Sequence, residues 1–229
     1  MKGKNKGSIK STGLPYTSYI NRPLARVLTN NLLWSTPNKV TLFAFLLLLI
    51  ALYIAITQYN SLLILLAYGL LVLNYILDSV DGQLAREKKM SSAFGEWLDH
   101  SLDGLRLLLI HSCLGFILII EFGNDPELRR FALIAFFLNI ICHTGNYIIS
   151  ILKEKILSSR SGKIISQEKN KLKKGFLNII LLPADYGIFI ISFLFLIKVE
   201  WFLVVYFIYG IYHLLIILSN SILTAYQNV

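Results

Sequence analysis

The chain has 229 residues, of which 55% are hydrophobic, and its mean hydropathy is +0.63. A soluble chain of this length must present a wetted surface, and this composition is too apolar for that, so it predicts an integral membrane protein. In a soluble protein the formal net charge of +9 would suggest binding of nucleic acid. Here we expect the cations to contact membrane lipids, and we predict no nucleic-acid partner.

The N-terminal part of the sequence precedes the first strongly apolar run. Residues 1–14 are small, polar and basic, which is typical of a disordered tail. Over residues 15–35, apolar residues recur at helical spacing with polar residues between them. This pattern predicts an amphipathic helix that lies in the membrane interface. Residues 36–229 are then the predicted transmembrane domain.

Six apolar stretches approach or exceed the length of about 20 helical residues that crosses a bilayer core. They cover residues 40–58, 61–77, 98–121, 129–151, 177–197 and 200–223. The fifth stretch is interrupted by Pro183 and Asp185. The predicted fold class is therefore an all-α integral membrane protein with six transmembrane helices preceded by an interfacial amphipathic helix.

The distribution of lysine and arginine predicts the orientation in the membrane. With the N-terminus in the cytoplasm, eighteen of the 22 basic residues fall in cytoplasmic segments, in agreement with the positive-inside rule. Both termini and the segment between the second and third spans are then cytoplasmic. We therefore expect a multi-pass protein of the cytoplasmic, or inner, cell membrane.

Four aspartates, Asp78, Asp81, Asp99 and Asp103, lie where the second and third predicted spans meet the cytoplasm. Residues three or four apart share a helix face, so Asp78 pairs with Asp81 and Asp99 with Asp103. Two antiparallel helices would bring the two pairs together at the cytoplasmic end of the spans. Converging carboxylates require a cation, and the candidates in the sequence are Arg86, His100 and Arg106. The clearest pair at helical spacing is Asp103 with Arg106, which leaves the other aspartates without a dedicated partner and favours a divalent metal. Ligation by carboxylate oxygens suits Mg²⁺ or Mn²⁺, and two ions bridged by shared carboxylates would clamp a phosphate.

Small residues accompany these carboxylates. Gly82 and Ala85 leave the surface of the second predicted helix bare beside the aspartates, and Gly95 does the same on the third. A bulky flat ligand could approach the backbone there. Close packing of helices is the alternative explanation for small residues in a membrane.

From Asp78 to Asp103 the sequence reads Asp, two others, Asp-Gly, two others, Ala-Arg, eight others, Gly, three others, Asp, three others, Asp. This pattern resembles the complete signature of the CDP-alcohol phosphotransferase (CDP-alcohol phosphatidyltransferase) family. The segment 36–41 before the first span, the six spans and the N-terminal helix are also similar to the smaller members of that family.

The resemblance implies an enzyme that cleaves the pyrophosphate of a CDP-linked donor, passes the distal phosphoryl group to an alcohol and releases CMP. It implies that Asp78, Asp81 and Asp99 bind metal, and that Asp103 is close to the metal and acts as general base. The residues implied to contact the cytidine diphosphate are Asn38, Thr41, Asp78, Gly82, Ala85, Arg86 and Gly95. A homodimer is a further expectation from the resemblance.

The short chain favours CDP-diacylglycerol as the donor lipid and a small alcohol or polyol as the acceptor, in phospholipid biosynthesis. The alternative is an aminoalcohol phosphotransferase that uses CDP-choline or CDP-ethanolamine with diacylglycerol, which the stretch 95–103 faintly resembles. A different class is a cation-binding transporter. That class predicts acidic residues spread through the bilayer depth, whereas here they gather at one mouth.

Other polar residues lie inside the predicted spans. Asp185 could line an acceptor pocket or could lie at the cytoplasmic edge of the membrane. For His111, His143 and His213, with Asn146 one turn after His143, the sequence predicts hydrogen bonds between helices. Their spacing does not suggest a metal site.

Overall fold

The structure, a computed structural model, describes residues 14–57, 60–160 and 182–227. The predicted basic tail lies outside the described residues except for Leu14, and so does most of the basic segment between the fourth and fifth predicted spans. The described residues are helical and contain no β-strand. Their helices are α1 (Arg22–Asn31), α2 (Pro37–Thr57), α3 (Ser61–Glu87), α4 (Ala93–Glu121), α5 (Pro126–Arg160), α6 (Tyr186–Ser192) and α7 (Val199–Gln227).

Five helices in the described part of the chain are long and apolar enough to cross a membrane. They are Pro37–Thr57, Ser61–Glu87, Ala93–Glu121, Pro126–Leu152 and Val199–Ser219. Large apolar side chains, among them Tyr53, Leu62 and Trp201, are exposed on their outer faces. A lipid environment accommodates such surfaces, whereas water does not. The protein is therefore a multi-pass membrane protein.

The prediction of six spans is not confirmed, because the fifth predicted span is not one long helix in the described residues. Residues 177–181 lie outside them, and the rest divides into the 3₁₀ turn Leu182–Ala184, helix α6 and the 3₁₀ turn Phe193–Ile197. The apolar helical stretch is Tyr186–Ile197. Pro183 has no N–H to donate, and the Asp185 carboxylate accepts a hydrogen bond from Gly187 N at 3.2 Å. Asp185 therefore caps the start of α6 and separates this helix from the turn that contains Pro183.

Helices α3 and α4 extend beyond the spans predicted from hydropathy, toward the turn 88–92 that joins them. The predicted spans end at residue 77 and begin at residue 98, whereas α3 continues to Glu87 and α4 starts at Ala93. Ser92 caps α4, since its hydroxyl accepts a hydrogen bond from Gly95 N at 3.0 Å. In the turn, Lys88 Nζ donates to the carbonyl of Ser35 at 2.6 Å. The aspartate-rich segment is thus held in two helices rather than in a loop.

The helices pack around two groups of buried apolar residues. Helix α2 lies along α3, α4 lies against α5, and α5 lies against α7. Their shared core includes Leu48, Leu71, Leu114 and Phe202, which are almost fully buried. A smaller group, with Ala25, Val40, Leu77, Val80 and Leu84 among its members, joins α1, α2 and α3. This second group fixes the ends of α2 and α3 that carry the polar residues.

The N-terminal segment packs on α3. A π-helical turn, Thr17–Asn21, leads into α1. Asn21 Nδ2 donates to Ser79 Oγ at 2.6 Å and to the carbonyl of Tyr75 at 3.2 Å. Gln83 on α3 donates to the carbonyl of Arg22 at 3.0 Å. A helix is therefore present within the predicted amphipathic range 15–35, and its position in the membrane interface stays a prediction.

The replacement Gly187→Ala is expected to destabilise the protein by about 1–3 kcal/mol, because the added methyl group would overlap the ring of Tyr16. Thermal unfolding in detergent measures the effect. Gly145→Ala is the matched control, since a Cβ atom there would meet Ile217 Cδ1 at an ordinary 3.5 Å. Equal unfolding temperatures for the two variants would show that Tyr16 and the start of α6 are not in contact.

Candidate active site

The site lies in a cleft between α3 and α4. The turn 88–92 joins the two helices at one end, yet within these two described helices no Cα atom of α3 comes within 8 Å of a Cα atom of α4. The space between the backbones is therefore lined by side chains instead of being closed by helix packing. Asp78 and Asp81 lie on α3, and Asp99 and Asp103 lie on α4.

A cavity of about 450 Å³, the first cavity, opens beside the turn and the starts of α2 and α4. Two of the four aspartates, Asp81 and Asp99, line it. So do six of the seven residues that the family resemblance implies for the cytidine diphosphate. They are Asn38, Thr41, Gly82, Ala85, Arg86 and Gly95. Residues 40 to 60 positions apart in the sequence are thus brought around one space.

The polar contacts of the first cavity hold its walls in place. Thr41 Oγ1 donates a hydrogen bond of 2.6 Å to Asp81 Oδ2, which joins α2 to α3. A Cβ atom added at Gly95 would lie 3.3 Å from Asn38 Oδ1, so α4 approaches α2 closely at that point. Arg86 is exposed, and its guanidinium lies over Gly82. An exposed positive charge therefore lies beside the bare backbone of Gly82 in this wall.

A cavity of about 500 Å³, the second cavity, is bordered by the other two aspartates, Asp78 and Asp103. Its remaining lining comes from the N-terminal segment, α3, α4, α5, α7 and the segment around α6. The residues are Leu14, Tyr75, Arg106, Leu107, His143, Asn146, Tyr147, Ser150, Ala184, Tyr186, His213 and Ile216. Asp78 and Asp103 lie about 4.5–6 Å farther along their helices from the turn than Asp81 and Asp99. The four carboxylates thus divide between a cavity near the turn and a deeper one.

Arg106 connects the two helices across the cleft. Its Nη2 donates to Oδ1 of Asp78 and to Oδ1 of Asp103, and its side chain is only 9% exposed. The guanidinium carbon lies 5.3 Å from the centre of the Tyr186 ring. One positive charge therefore serves two carboxylates, and it is enclosed by an aromatic wall.

The buried histidines make the hydrogen bonds between helices that the sequence predicts. His111 on α4 lies 3.0 Å from His143 on α5, measured from Nε2 to Nδ1, and its Nδ1 lies 2.8 Å from the hydroxyl of Tyr206 on α7. Asn146 on α5 contacts His213 on α7. That prediction is confirmed.

The donor groups fit a hard divalent cation. One ligand atom each of Asp99, His100 and Asp103 lies within 4.8 Å of the other two, as in a group that could hold a metal ion. The Asp78 carboxylate also interacts electrostatically with those of Asp99 and Asp103. Four carboxylates against one shared guanidinium leave excess negative charge, which Mg²⁺ or Mn²⁺ would compensate. The predicted ligand set of four aspartates stays a prediction.

Asp185 is fully buried, and its oxygens bind the N-terminal segment. Thr17 donates to it twice, from its backbone N at 2.9 Å and from its hydroxyl at 2.8 Å. Tyr75 OH approaches the same carboxylate at 3.4 Å. Its neighbours Ala184 and Tyr186 line the second cavity, and Asp185 itself is not among the lining residues. Its predicted part in an acceptor pocket stays a prediction.

Sequence reasoning did not assign Tyr75, Tyr147 and Tyr186 to the site. They come from three different helices, and Tyr147 reaches α4 by donating to the carbonyl of His100 at 3.0 Å. No spacing within one helix relates them. The sequence did contain one indication of this part of the site, the polar residues Asn146 and His213 inside predicted spans. Polar side chains inside a membrane span are rare without a function.

Comparison with curated proteins gives no match for the chain. A model of the family described as CDP-alcohol phosphatidyltransferase matches residues 34–215. The match contains the whole pattern from Asp78 to Asp103 and both walls of the cleft between α3 and α4. Since it covers well over half of the sequence, the chain belongs to the CDP-alcohol phosphatidyltransferase family, a family of transferases.

Proposed function

We propose that the protein transfers the phosphatidyl group of CDP-diacylglycerol to a hydroxyl of a small alcohol or polyol and releases CMP, as a step of phospholipid biosynthesis. The observation that carries this proposal is the division of the four aspartates. Asp81 and Asp99 border the first cavity, and Asp78 and Asp103 border the second. A donor in the first cavity and an acceptor in the second would meet at the carboxylates.

The first cavity has the properties that a nucleotide diphosphate requires. The N-terminus of α4, with Ser92 and Ala93, borders it and favours negative charge. Arg86 adds an exposed positive charge. Gly82 and Gly95 let a flat base approach the backbone. We assign the CDP group of the donor to this cavity and its acyl chains to the surrounding lipid.

The catalytic metal would be held at the cleft. We propose two Mg²⁺ or Mn²⁺ ions with ligands among Asp78, Asp81, Asp99 and Asp103. When bound, the ions supply positive charge that offsets the charge of the pyrophosphate oxygens and of the departing CMP. The surrounding residues place the donor and the acceptor on opposite sides of these carboxylates.

Asp103 is the proposed general base. Arg106 engages its Oδ1, so Oδ2 can accept the proton of an acceptor hydroxyl in the second cavity. The acceptor oxygen forms a bond to the distal phosphorus, and the bond from that phosphorus to the bridging oxygen of the pyrophosphate breaks. The bridging oxygen leaves with CMP. The proton then passes from Asp103 to water.

The charge distribution supports a cytoplasmic site. With both termini inside, eighteen of the 22 basic residues are cytoplasmic, and the turn 88–92 lies on the same side. We propose this orientation and, from family likeness, a homodimer.

The replacement Gly95→Ala is expected to raise the KM for the donor about tenfold, which corresponds to about 1.4 kcal/mol. The added methyl group would press on Asn38 Oδ1 and Ser92 Oγ, at 3.3 and 3.2 Å, and would fill the wall of the first cavity. Steady-state kinetics with varied CDP-diacylglycerol measures the effect. Gly69→Ala on α3 is the control, because a Cβ atom there meets nothing within 4 Å. An unchanged donor KM in both variants would show that the nucleotide does not bind in this cavity.

The proposed function is tested by incubating the purified protein with CDP-diacylglycerol, Mg²⁺ and a panel of alcohols and measuring CMP. We expect CMP to be released with an accepted alcohol and release to stop with EDTA. A parallel reaction with CDP-ethanolamine and diacylglycerol tests the aminoalcohol branch. The proposal would be overturned if CMP were released only in the reaction with CDP-ethanolamine, or if as much CMP were released without divalent metal as with it. Cation uptake into proteoliposomes without any CMP would indicate a transporter instead.

A further inference from the structure

The second cavity has a polar wall that the proposed reaction does not use. His143, Asn146 and His213 lie there, on α5 and α7, opposite the aspartates of α3 and α4. Among the lining residues, which are all in the described part of the chain, the one cationic side chain of lysine or arginine type is Arg106. Its guanidinium is already bound to Asp78 and Asp103. The polar wall is therefore built from uncharged groups.

Hydrogen bonding fixes where the His213 ring carries its proton. Asn146 Nδ2 lies 2.9 Å from the carbonyl oxygen of His213 and 3.0 Å from His213 Nδ1. A carbonyl oxygen only accepts, so the Asn146 atom that contacts it must be the amide NH₂. The second hydrogen of the same NH₂ then points to His213 Nδ1, which must accept. A neutral imidazole with an accepting Nδ1 carries its proton on Nε2.

This Nε2–H group has no acceptor. His213 is 2% exposed, and its Nε2 has no hydrogen-bond partner among the residues that the structure describes. A buried donor without a partner is unfavourable, and native proteins seldom retain one without a reason. His213 borders the second cavity while its Nε2 atom is covered, so a small turn of the ring on ligand entry would bring Nε2–H to an accepting oxygen of the bound molecule.

We infer that the acceptor is an uncharged alcohol with several hydroxyl groups, and that His213 Nε2–H donates to one of its oxygens while another hydroxyl faces Asp103. The inference rests on the proposed function and adds the acceptor class and a residue that determines specificity. The volume of about 500 Å³ is within the range of small-molecule sites. Asn146 positions His213 by fixing the ring and its tautomer.

Two other acceptor classes fit this wall less well. A phosphorylated alcohol brings an anion, and such groups are usually bound by free arginine or lysine side chains, which the described lining does not offer. An aminoalcohol such as ethanolamine has a single hydroxyl. Since that hydroxyl must react, only the ammonium group of ethanolamine remains to contact His213. An ammonium group cannot accept a hydrogen bond, so it would leave Nε2–H of His213 without a partner.

The test compares acceptors that differ by one group, in the presence of CDP-diacylglycerol and Mg²⁺. Inositol is paired with inositol 1-phosphate, and glycerol with glycerol 3-phosphate and with ethanolamine. We expect kcat/KM to be at least tenfold higher for an uncharged polyol than for its phosphorylated partner or for ethanolamine. Preference for a phosphorylated acceptor or for the aminoalcohol would overturn the inference while leaving the proposed transfer reaction intact. CMP release with none of them would contradict the proposed function itself.

Substitution of His213 identifies its part in acceptor binding. His213→Phe keeps a ring and removes the donor, and we expect it to raise the KM of the preferred polyol about tenfold while the donor KM stays within twofold. His213→Gln places an amide NH₂ near the position of Nε2 and is expected to restore the acceptor KM to within threefold of the original. Leu215→Ala, on the exposed face of α7, is the control for expression and folding.

Binding is measured separately so that a fold defect is not mistaken for lost recognition. In thermal unfolding, CDP-diacylglycerol with Mg²⁺ should stabilise the original protein and both His213 variants alike. Addition of the polyol should give a further shift in the original protein and in His213→Gln, and none in His213→Phe. An equal polyol shift in all three, or equal loss of the donor and polyol shifts in His213→Phe, would contradict a specific role in acceptor binding.

Discussion

Replacement of Asp103 by Asn is expected to lower kcat about 10²–10⁴-fold, because the amide keeps the shape of the side chain and cannot accept the proton of the attacking hydroxyl. CMP release at saturating substrates measures the loss. Most of the stabilisation by CDP-diacylglycerol should remain, since the nucleotide is assigned to the first cavity and three of the four proposed metal ligands are unchanged. The variant therefore separates chemistry from donor binding.

The matched control for this variant is Asp125→Asn. Asp125 is exposed and caps α5, where its Oδ1 accepts hydrogen bonds from Glu127 N and Leu128 N at 2.9 and 3.1 Å. Asparagine caps helices about as well as aspartate, so activity should be unchanged. If Asp103→Asn keeps more than a tenth of the original kcat, another group accepts the proton.

Replacement of Arg106 by Gln is expected to destabilise the protein by about 3–5 kcal/mol in the absence of divalent metal. The guanidinium is buried and is shared by Asp78 and Asp103, so its removal leaves two nearby carboxylates without their common partner. Chemical or thermal unfolding in detergent with EDTA measures the effect. Addition of Mg²⁺ should recover part of the loss, because a divalent ion also offsets the repulsion of these carboxylates.

Arg130→Gln is the control for Arg106→Gln. Arg130 is 73% exposed and lies 3.3 Å from Glu127, so its loss should change stability by less than about 0.5 kcal/mol. A second substitution, Asp78→Asn, should cost less in the Arg106→Gln background than in the original protein, since both changes act on one ion pair. Additive effects would show that Arg106 does not join α3 to α4.

Local spacing predicts which of the candidate residues share one face of α3 or of α4. Asp78, Asp81 and Gly82 recur at helical spacing on α3, and Asp99 and Asp103 do so on α4, so their shared faces follow from the sequence. The five other residues that the family resemblance implies for the nucleotide meet these faces because α2 lies next to α3 and α4. The spans predicted from hydropathy were too short, because α3 and α4 both continue past their apolar parts into polar residues.

The acceptor side could not be read from the sequence in the same way. Tyr75, Tyr147, Tyr186 and His213 meet only because α3, α5, α6 and α7 pack around the cleft. The pairing of Asn146 with His213 spans 67 positions, and its orientation decides which ring nitrogen carries a proton. The fifth predicted span differs for a local reason. Pro183 lies in a 3₁₀ turn and the carboxylate of Asp185 caps the start of α6, and an average of hydropathy over the window does not register this break.

The central claim is that a hydroxyl of the acceptor attacks the lipid-linked phosphorus of CDP-diacylglycerol at carboxylates that hold divalent metal. The most direct measurement uses an accepted polyol labelled with ¹⁸O in its hydroxyl groups, Mg²⁺ and the purified protein, with mass spectrometry of both products. We predict that the label appears in the new lipid phosphodiester and that the released CMP contains none. Label in CMP, or no labelled lipid while CMP is still released, would contradict the account.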